Sequence, residues 1–283
     1  MGETLKRAIS GAVYVLLLIA SILYSTESFF ILFGILLIIS LFEFCNLIQV
    51  DKLIPIFSGA SLYILITLLS NYDQNKTFHI PTLDLILLTI TLAISIKCIF
   101  FLFDNSNDKR ISNLSKYLYL LGYITLPFVF ITKITFGVNN YNPKIIIGLL
   151  ILIWTNDTFA FIVGKSVGKH KLFERISPKK TIEGFFGGLI FAIFAGYLIS
   201  IFLIKPTAQF ENKSILIWLI IAAIVGVIGT IGDLIESKFK RIAGVKDSGR
   251  IMPGHGGVLD RLDSVIFAAP FIFLFYKILY YVS

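Results

Sequence analysis

Apolar residues in this chain fall into blocks of about twenty, separated by short polar stretches. Twenty residues rising 1.5 Å each make a helix of about 30 Å, the thickness of a bilayer's hydrocarbon core. Nine such blocks can be drawn, over residues 8–24, 28–49, 54–71, 81–103, 117–136, 145–164, 183–204, 215–235 and 264–282. None shows the period-2 alternation that an outer-membrane barrel requires. The pattern predicts an all-α, polytopic integral membrane protein with about nine transmembrane helices.

Composition agrees with the pattern. Apolar residues make up 57% of the chain and charged residues 15%, against roughly 25% charged in a soluble domain. Lys6 and Arg7 before the first apolar block resemble the start of a signal peptide. No small-residue cleavage site follows clearly, so the block is read as an uncleaved span. With the N-terminus cytoplasmic, the inside segments are 1–7, 50–53, 104–116, 165–181 and 236–262. They carry two, one, three, six and six basic residues, 18 of the 25 Lys and Arg, as the positive-inside rule requires. The protein is therefore expected in the cytoplasmic membrane, multi-pass, with its two most basic loops on the cytoplasmic face.

Two regions differ in character. Residues 1–143 hold about five spans with thin connections, and residues 144–283 hold about four spans and two long polar loops. In the first region the intramembrane charges are Glu43, Asp84, Lys97 and Lys133. Each is read as a snorkelling or paired side chain before it is read as a pathway marker. Asp104 to Lys116 reads as a connector. Cys45 and Cys98 lack metal or disulfide spacing and read as small buried hydrophobes.

The chemistry lies in the two loops. Residues 165–181 carry a formal charge of +5 and residues 236–262 a charge of +3, together equal to the net +8 of the whole chain. Attraction to anionic lipid would explain the positive charge, but not the glycines or the carboxylates among it. Asp233, Ser237 and Arg241 recur at four-residue steps, on one helical face. Asp260 and Asp263 are three apart at the start of the last span. Gly254, Gly256 and Gly257 let backbone approach a phosphate. Mg²⁺ is usually held by one or two carboxylates plus phosphates and water, so the segment suits a metal–polyphosphate site; a merely structural loop is the competing reading. His255 is better suited to hydrogen-bonding a phosphate than to acting as a base, because a phosphate monoester is largely ionised already. In the first loop, Ser177-Pro178-Lys179-Lys180-Thr181 and Glu183 have a helix-initiation reading beside a phosphate-binding one for Lys179, Lys180 and Thr181. Gly164 and Gly168 flank Lys165 in a second possible phosphate turn.

The pattern Ser237-x-apolar-Lys240-Arg241, then Lys246-Asp247, then Pro253-Gly254-His255-Gly256-Gly257, then Asp260-Arg261-apolar-Asp263 resembles the signature of phosphatidate cytidylyltransferases, the CDP-diacylglycerol synthases. Ser177 to Gly184, and Asn156-Asp157 leading to Gly164-Lys165, resemble two further blocks of that family. Met252 and Phe161 depart from it, at uncharged positions. The resemblance implies a helical membrane enzyme that transfers CMP from CTP to phosphatidic acid and releases pyrophosphate. It implies dependence on Mg²⁺, with or without a second cation, and a homodimer in the bilayer with no nucleic-acid partner. Asp233, Asp260 and Asp263 are then the expected metal ligands. Lys179, Lys180, Lys240, Arg241, Lys246, His255 and Arg261 are the expected phosphate contacts, with Asp247 beside them. A CTP-using lipid kinase and an anion transporter are the alternatives. Transport would need charges along a path through several spans, whereas these charges cluster at one face.

Overall fold

The structure is a computed structural model that describes residues 3–72, 81–104, 111–136, 141–204 and 213–282. Nine helical rods account for nearly all of them. They are α1 (Glu3–Tyr24), α2 (Thr26–Ile48), α3 (Leu53–Tyr72), α4 (Pro81–Phe103), α5 (Asn113–Thr135), α6 (Pro143–Val167), α7 (Ile182–Phe202), α8 (Ser214–Ile242) and α9 (Leu259–Val282). Seven, all except α1 and α3, contain segments long and apolar enough to cross a membrane; α1 and α3 contain the shorter apolar stretches Ile9–Tyr24 and Leu53–Leu68.

The all-α expectation needs one correction. Strands β1 (Lys171–Phe173) and β2 (Ser177–Thr181) pair antiparallel between α6 and α7, with Lys171 opposite Thr181 and Phe173 opposite Ser177. Pro178 is tolerated because a two-stranded hairpin consists only of edges. Residues 105–110 of the expected connector lie outside the described residues.

Two helix boundaries also differ from expectation, and both matter for the site. The eighth span, expected to stop at residue 235, continues to Ile242 as part of a 29-residue rod, about 43 Å long. Its polar end persists because one face is buried. Phe239 is 1% exposed and sits among the rings of Phe44, Phe101, Tyr119 and Tyr123 from α2, α4 and α5, with centroids 4.8 to 5.7 Å away. Lys238 beside it donates to the carbonyls of Phe101, Leu102 and Asp104 at the end of α4, where last-turn carbonyls lack helical partners. The ninth rod begins at Leu259, five residues before the apolar block, so Asp260 and Asp263 lie in its first turns.

The intramembrane charges of the first region are paired. Lys133 is 2.8 Å from Asp84, Lys277 is 3.4 Å from the same carboxylate, and Lys97 donates to Ser115 at 2.8 Å. Cys45 and Cys98 are buried free thiols. Glu43 is different, and belongs to the site.

Candidate active site

The first loop is organised by its own side chains. After α6 ends at Val167, β1 and β2 return the chain to the start of α7. Thr181 is the N-cap of α7, its hydroxyl accepting from the Gly184 N–H at 3.1 Å, which satisfies one of the helix's orphan donors. Glu183 reaches back to accept from the N–H groups of Lys169 (3.0 Å) and His170 (3.2 Å), with His170 Nδ1 at 2.6 Å. Thr181 and Glu183 thus take part in starting α7 and shaping the loop. Lys165 and Lys179 are exposed, and Ser177 is half-buried on the hairpin. Lys180 leaves the hairpin and forms an ion pair with Asp233 of α8. The two loops, far apart in sequence, meet at this pair.

On α8, Ser237 donates to Asp233 Oδ1 at 3.3 Å from one turn further on. Arg241, a turn beyond, donates through Nε to the Ile176 carbonyl at 3.2 Å, tying the helix to the hairpin. Asp233, Glu236 and Asp263 each place a carboxylate oxygen within 4.8 Å of the others. Asp157 on α6 acts electrostatically on both Asp233 and Asp263, and Asn156 donates to Asp157 at 3.4 Å. Glu236 is ion-paired to Lys240 through Oε2, and no donor reaches its buried Oε1 among the described residues. Three carboxylates so close repel one another, and donor-poor oxygens at this spacing fit a divalent cation.

Glu236 lies with Asp233 and Asp263, and Asp260, expected beside them as a metal ligand, is turned toward the loop before its own helix. It meets Lys240 at 2.6 Å and accepts from the N–H groups of Gly257 (2.7 Å) and Ser248 (2.9 Å). The periodicity behind the expectation is sound, since Asp260 and Asp263 are a turn apart. Asp260, however, closes on the loop that precedes its own helix. Lys240, expected at a phosphate, is buried between Glu236 and Asp260 and paired with both. Glu236 follows Asp233 at helical spacing, the signal that could have found it.

Glu43, from the middle of the N-terminal region, is 1% exposed. It accepts from the N–H groups of Val258 (3.1 Å) and Leu259 (2.9 Å) at the start of α9. The Ser248 hydroxyl lies between Glu43 (3.1 Å) and Asp260 (3.0 Å). A Cβ on Gly257 would come within 2.5 Å of Glu43 Oε2, so glycine is required there by space. A carboxylate two hundred residues away thus caps the helix that carries Asp260 and Asp263. Nothing local in the sequence signals this pairing.

The remaining signature residues form a turn and a cavity. His255 N–H donates to the Met252 carbonyl at 2.9 Å across Pro253 and Gly254, and Gly254 has φ +77°, the geometry of a type II turn. Lys246, Asp247, Gly254, His255, Gly256 and Arg261 are among the residues that line a cavity of about 480 Å³ beside that turn. His255 Nδ1 is 2.8 Å from Ser10 of α1. Its pKa is lowered by partial burial and by the nearby guanidinium groups of Arg261 and Arg7.

Comparison with known proteins decides which chemistry this arrangement serves. The profile of the cytidylyltransferase family matches residues 5–279. The chain belongs to that family. It is 34% identical over 264 residues to a phosphatidate cytidylyltransferase of Staphylococcus haemolyticus, covering 92% of this chain and 95% of that protein. A phosphatidate cytidylyltransferase of Staphylococcus saprophyticus is 48% identical over 124 residues, 43% of this chain and 45% of its own. One from Staphylococcus aureus strain COL is 47% identical over 126 residues, again 43% and 45%. As a cytidylyltransferase-family protein, the chain needs a place for a nucleoside triphosphate.

Proposed function

We propose that the chain transfers the cytidylyl group of CTP to phosphatidate, forming CDP-diacylglycerol and pyrophosphate. Family membership and the near full-length similarity to a phosphatidate cytidylyltransferase support the reaction. The observation in the fold that carries it is the convergence of Asp233, Glu236 and Asp263 beside Lys180 of the other loop. An oxygen of the phosphatidate phosphate forms a bond to the α-phosphorus of CTP. The bond from that phosphorus to the bridging oxygen breaks, and its electron pair leaves with pyrophosphate. A phosphate monoester is largely ionised at neutral pH, so no general base is needed, and His255 is free to hold α1.

Asp233, Glu236 and Asp263 are the residues that would hold Mg²⁺, with Asp157 close by should a second cation bind. When bound there, the metal supplies charge neutralisation and orientation of the phosphates. The chain's own groups do the rest. Lys180 adds positive charge against Asp233, and Ser237 fixes that carboxylate's rotamer. Lys240 holds Glu236 and Asp260 in register.

The proposal places the protein in the cytoplasmic membrane with nine spans and a cytoplasmic N-terminus. The apolar stretches of α1 and α3, Ile9–Tyr24 and Leu53–Leu68, are shorter than the hydrocarbon core, and a bilayer thins locally around short spans. An odd number of spans sets the termini on opposite sides, and the basic loops share the side where CTP is found. A homodimer completes the proposal, testable from the mass of the solubilised protein.

Purified protein in detergent with phosphatidate, Mg²⁺ and CTP labelled at either the α or the γ phosphate tests the reaction. The expected result is α label in the lipid product and γ label in pyrophosphate. Label from the γ position in lipid would make the protein a kinase, and no transfer of either label from a folded sample would remove the enzymatic reading.

A further inference from the structure

The cavity beside the Met252–Gly256 turn is separate from the carboxylate cluster and has a wall from α1. Four permanent cations line it, Arg7, Lys246, Arg250 and Arg261, against one carboxylate, Asp247. Two of these cations, Arg7 and Arg250, lie outside the charged positions of the signature pattern. Met252 is the apolar side chain in the lining, and three glycines leave backbone open to the interior.

Helix α1 is clasped onto this cavity. The Ser10 hydroxyl is 2.9 Å from the Pro253 carbonyl and 2.8 Å from His255 Nδ1. Gly11 packs on the His255 ring, where a Cβ would lie 3.2 Å from Cε1. The Arg7 side chain crosses Gly254, its Cγ 2.6 Å from where a Cβ would stand. From the opposite side, Arg261 Nη2 donates to the His255 carbonyl at 2.8 Å. The first helix thereby carries a guanidinium into a cavity built by the C-terminal loop.

The cavity and the carboxylates share a wall. A Cβ on Gly256 would lie 2.6 Å from Asp260 Oδ2. Asp260 is bonded to Lys240, which is paired with Glu236 of the cluster. A cation-binding group and an anion-binding cavity thus lie on either side of one ion-pair relay.

We infer that Arg7 of α1 and Arg250, neither of them a charged position of the signature pattern, join Lys246 and Arg261 in this cavity as binding residues for the β- and γ-phosphates of the nucleoside triphosphate, and then for the pyrophosphate product. Four cations to one acid exceed what a single dianionic phosphate neutralises. A polyphosphate bearing three to four charges matches them, and planar guanidinium groups suit its oxygens. The lining offers one apolar side chain to a diacylglycerol, which argues for a nucleotide tail over a lipid headgroup. Phosphate chemistry is common to both sources, so the test separates them. The inference rests on the cytidylyl-transfer reading for its nucleotide, but binding of inorganic pyrophosphate tests the cavity without turnover.

The test titrates inorganic pyrophosphate, and separately phosphatidate in mixed micelles, into detergent-solubilised wild type, Arg7→Met and Arg250→Met, followed by calorimetry. Steady-state KM values for CTP and phosphatidate accompany the titrations. Each Met variant is expected to bind pyrophosphate roughly ten- to hundredfold more weakly, the usual loss for a charged hydrogen bond, with KM for CTP raised and phosphatidate binding unchanged. Arg7→Lys should recover part of the loss, distinguishing the charge from the packing of α1. Weakened phosphatidate binding with unchanged pyrophosphate binding would overturn the polyphosphate assignment in favour of the lipid phosphate. Unchanged binding of both would overturn the cavity as an anion site. Wild type that binds pyrophosphate tightly but transfers no CMP would sink the proposed reaction and leave the cavity standing.

Discussion

Two sets of buried carboxylates in this protein are held in opposite ways. Glu43 is closed off from solvent and answered by donors: two backbone N–H groups on one side and the Ser248 hydroxyl on the other. Asp233, Glu236 and Asp263 are crowded together, and Glu236 is met by the Lys240 ammonium alone among the described residues. Asp263 accepts from the neighbouring Ser264 N–H at 2.7 Å, and Asp233 is met by Lys180 and Ser237. A buried polar group must find partners or destabilise the fold. Glu43 has found its partners in the protein, so it works as a fixed cap. The cluster has too few for the charge it gathers, and under the proposed reaction it would hold a cation.

The sharpest way to break this contrast is Asp263→Asn. Loss of one cluster carboxylate should lower turnover by at least about a thousandfold, the scale of removing a group that stabilises transition-state charge. Mg²⁺ should raise the melting temperature of wild type, by about 2.7 kcal/mol of stabilisation at a hundredfold excess over Kd, and leave Asp263→Asn unmoved. A variant that turns over normally, or that still responds to Mg²⁺, would take Asp263 out of the ligand set.

Glu43→Gln probes the other side. An amide cannot accept through both of its heavy atoms, so one donor at the start of α9 loses its partner. The expected cost is about 1–3 kcal/mol of stability. The Mg²⁺ concentration giving half-maximal activity should stay as in wild type. A shift in that concentration as large as that of Asp263→Asn would mean that Glu43 belongs with the cluster after all.

This contrast also separates what the sequence disclosed from what it hid. Apolar block length read out the rods, because bilayer thickness fixes helix length whatever the tertiary packing. Asp233, Ser237 and Arg241 were legible because helical spacing is local. Thr181 and Glu183 were legible as helix-start residues, but their partners were not, since hairpin and capping geometry depends on which backbone N–H groups come within reach. The position of Asp260 apart from the cluster has the same origin. Periodicity says which residues share a face, and only the folded loop says that Asp260 is drawn back to Gly257 and Ser248. Glu43 could not be read as a cap at all, because its partners lie more than two hundred residues away.

A smaller effect tests the tightness of the Glu43 cap. In Gly257→Ala the added methyl would press on Glu43 Oε2, 2.5 Å away, and overpacking of this kind costs typically about 1–3 kcal/mol. Combined with Glu43→Gln, the two losses should not add, because both act on one contact. Simple additivity in denaturation midpoints would show that Gly257 is needed for something other than room for the carboxylate.

The smallest effect concerns His255, which links the cap's loop to α1. Partial burial, Arg261 and Arg7 all disfavour its protonated form, so its folded pKa lies below the ordinary value of 6.5. The unfolded chain therefore binds more protons than the folded one over the interval between the two values, and stability rises with pH there. The docking of α1 is at full strength above about pH 6.5 and weakens as pH falls through the folded value, where the imidazolium faces two guanidinium groups. In substrate-free protein, backbone hydrogen exchange in α1, corrected for intrinsic rates, should speed up as pH falls from about 7.5 to about 5.5. His255→Gln keeps a hydrogen-bonding side chain near Ser10 and removes the titration, so its corrected exchange should be flat across the same range. An acid-induced loosening of equal size in both proteins would assign the effect to other groups, and would leave His255 as a pH-insensitive clasp.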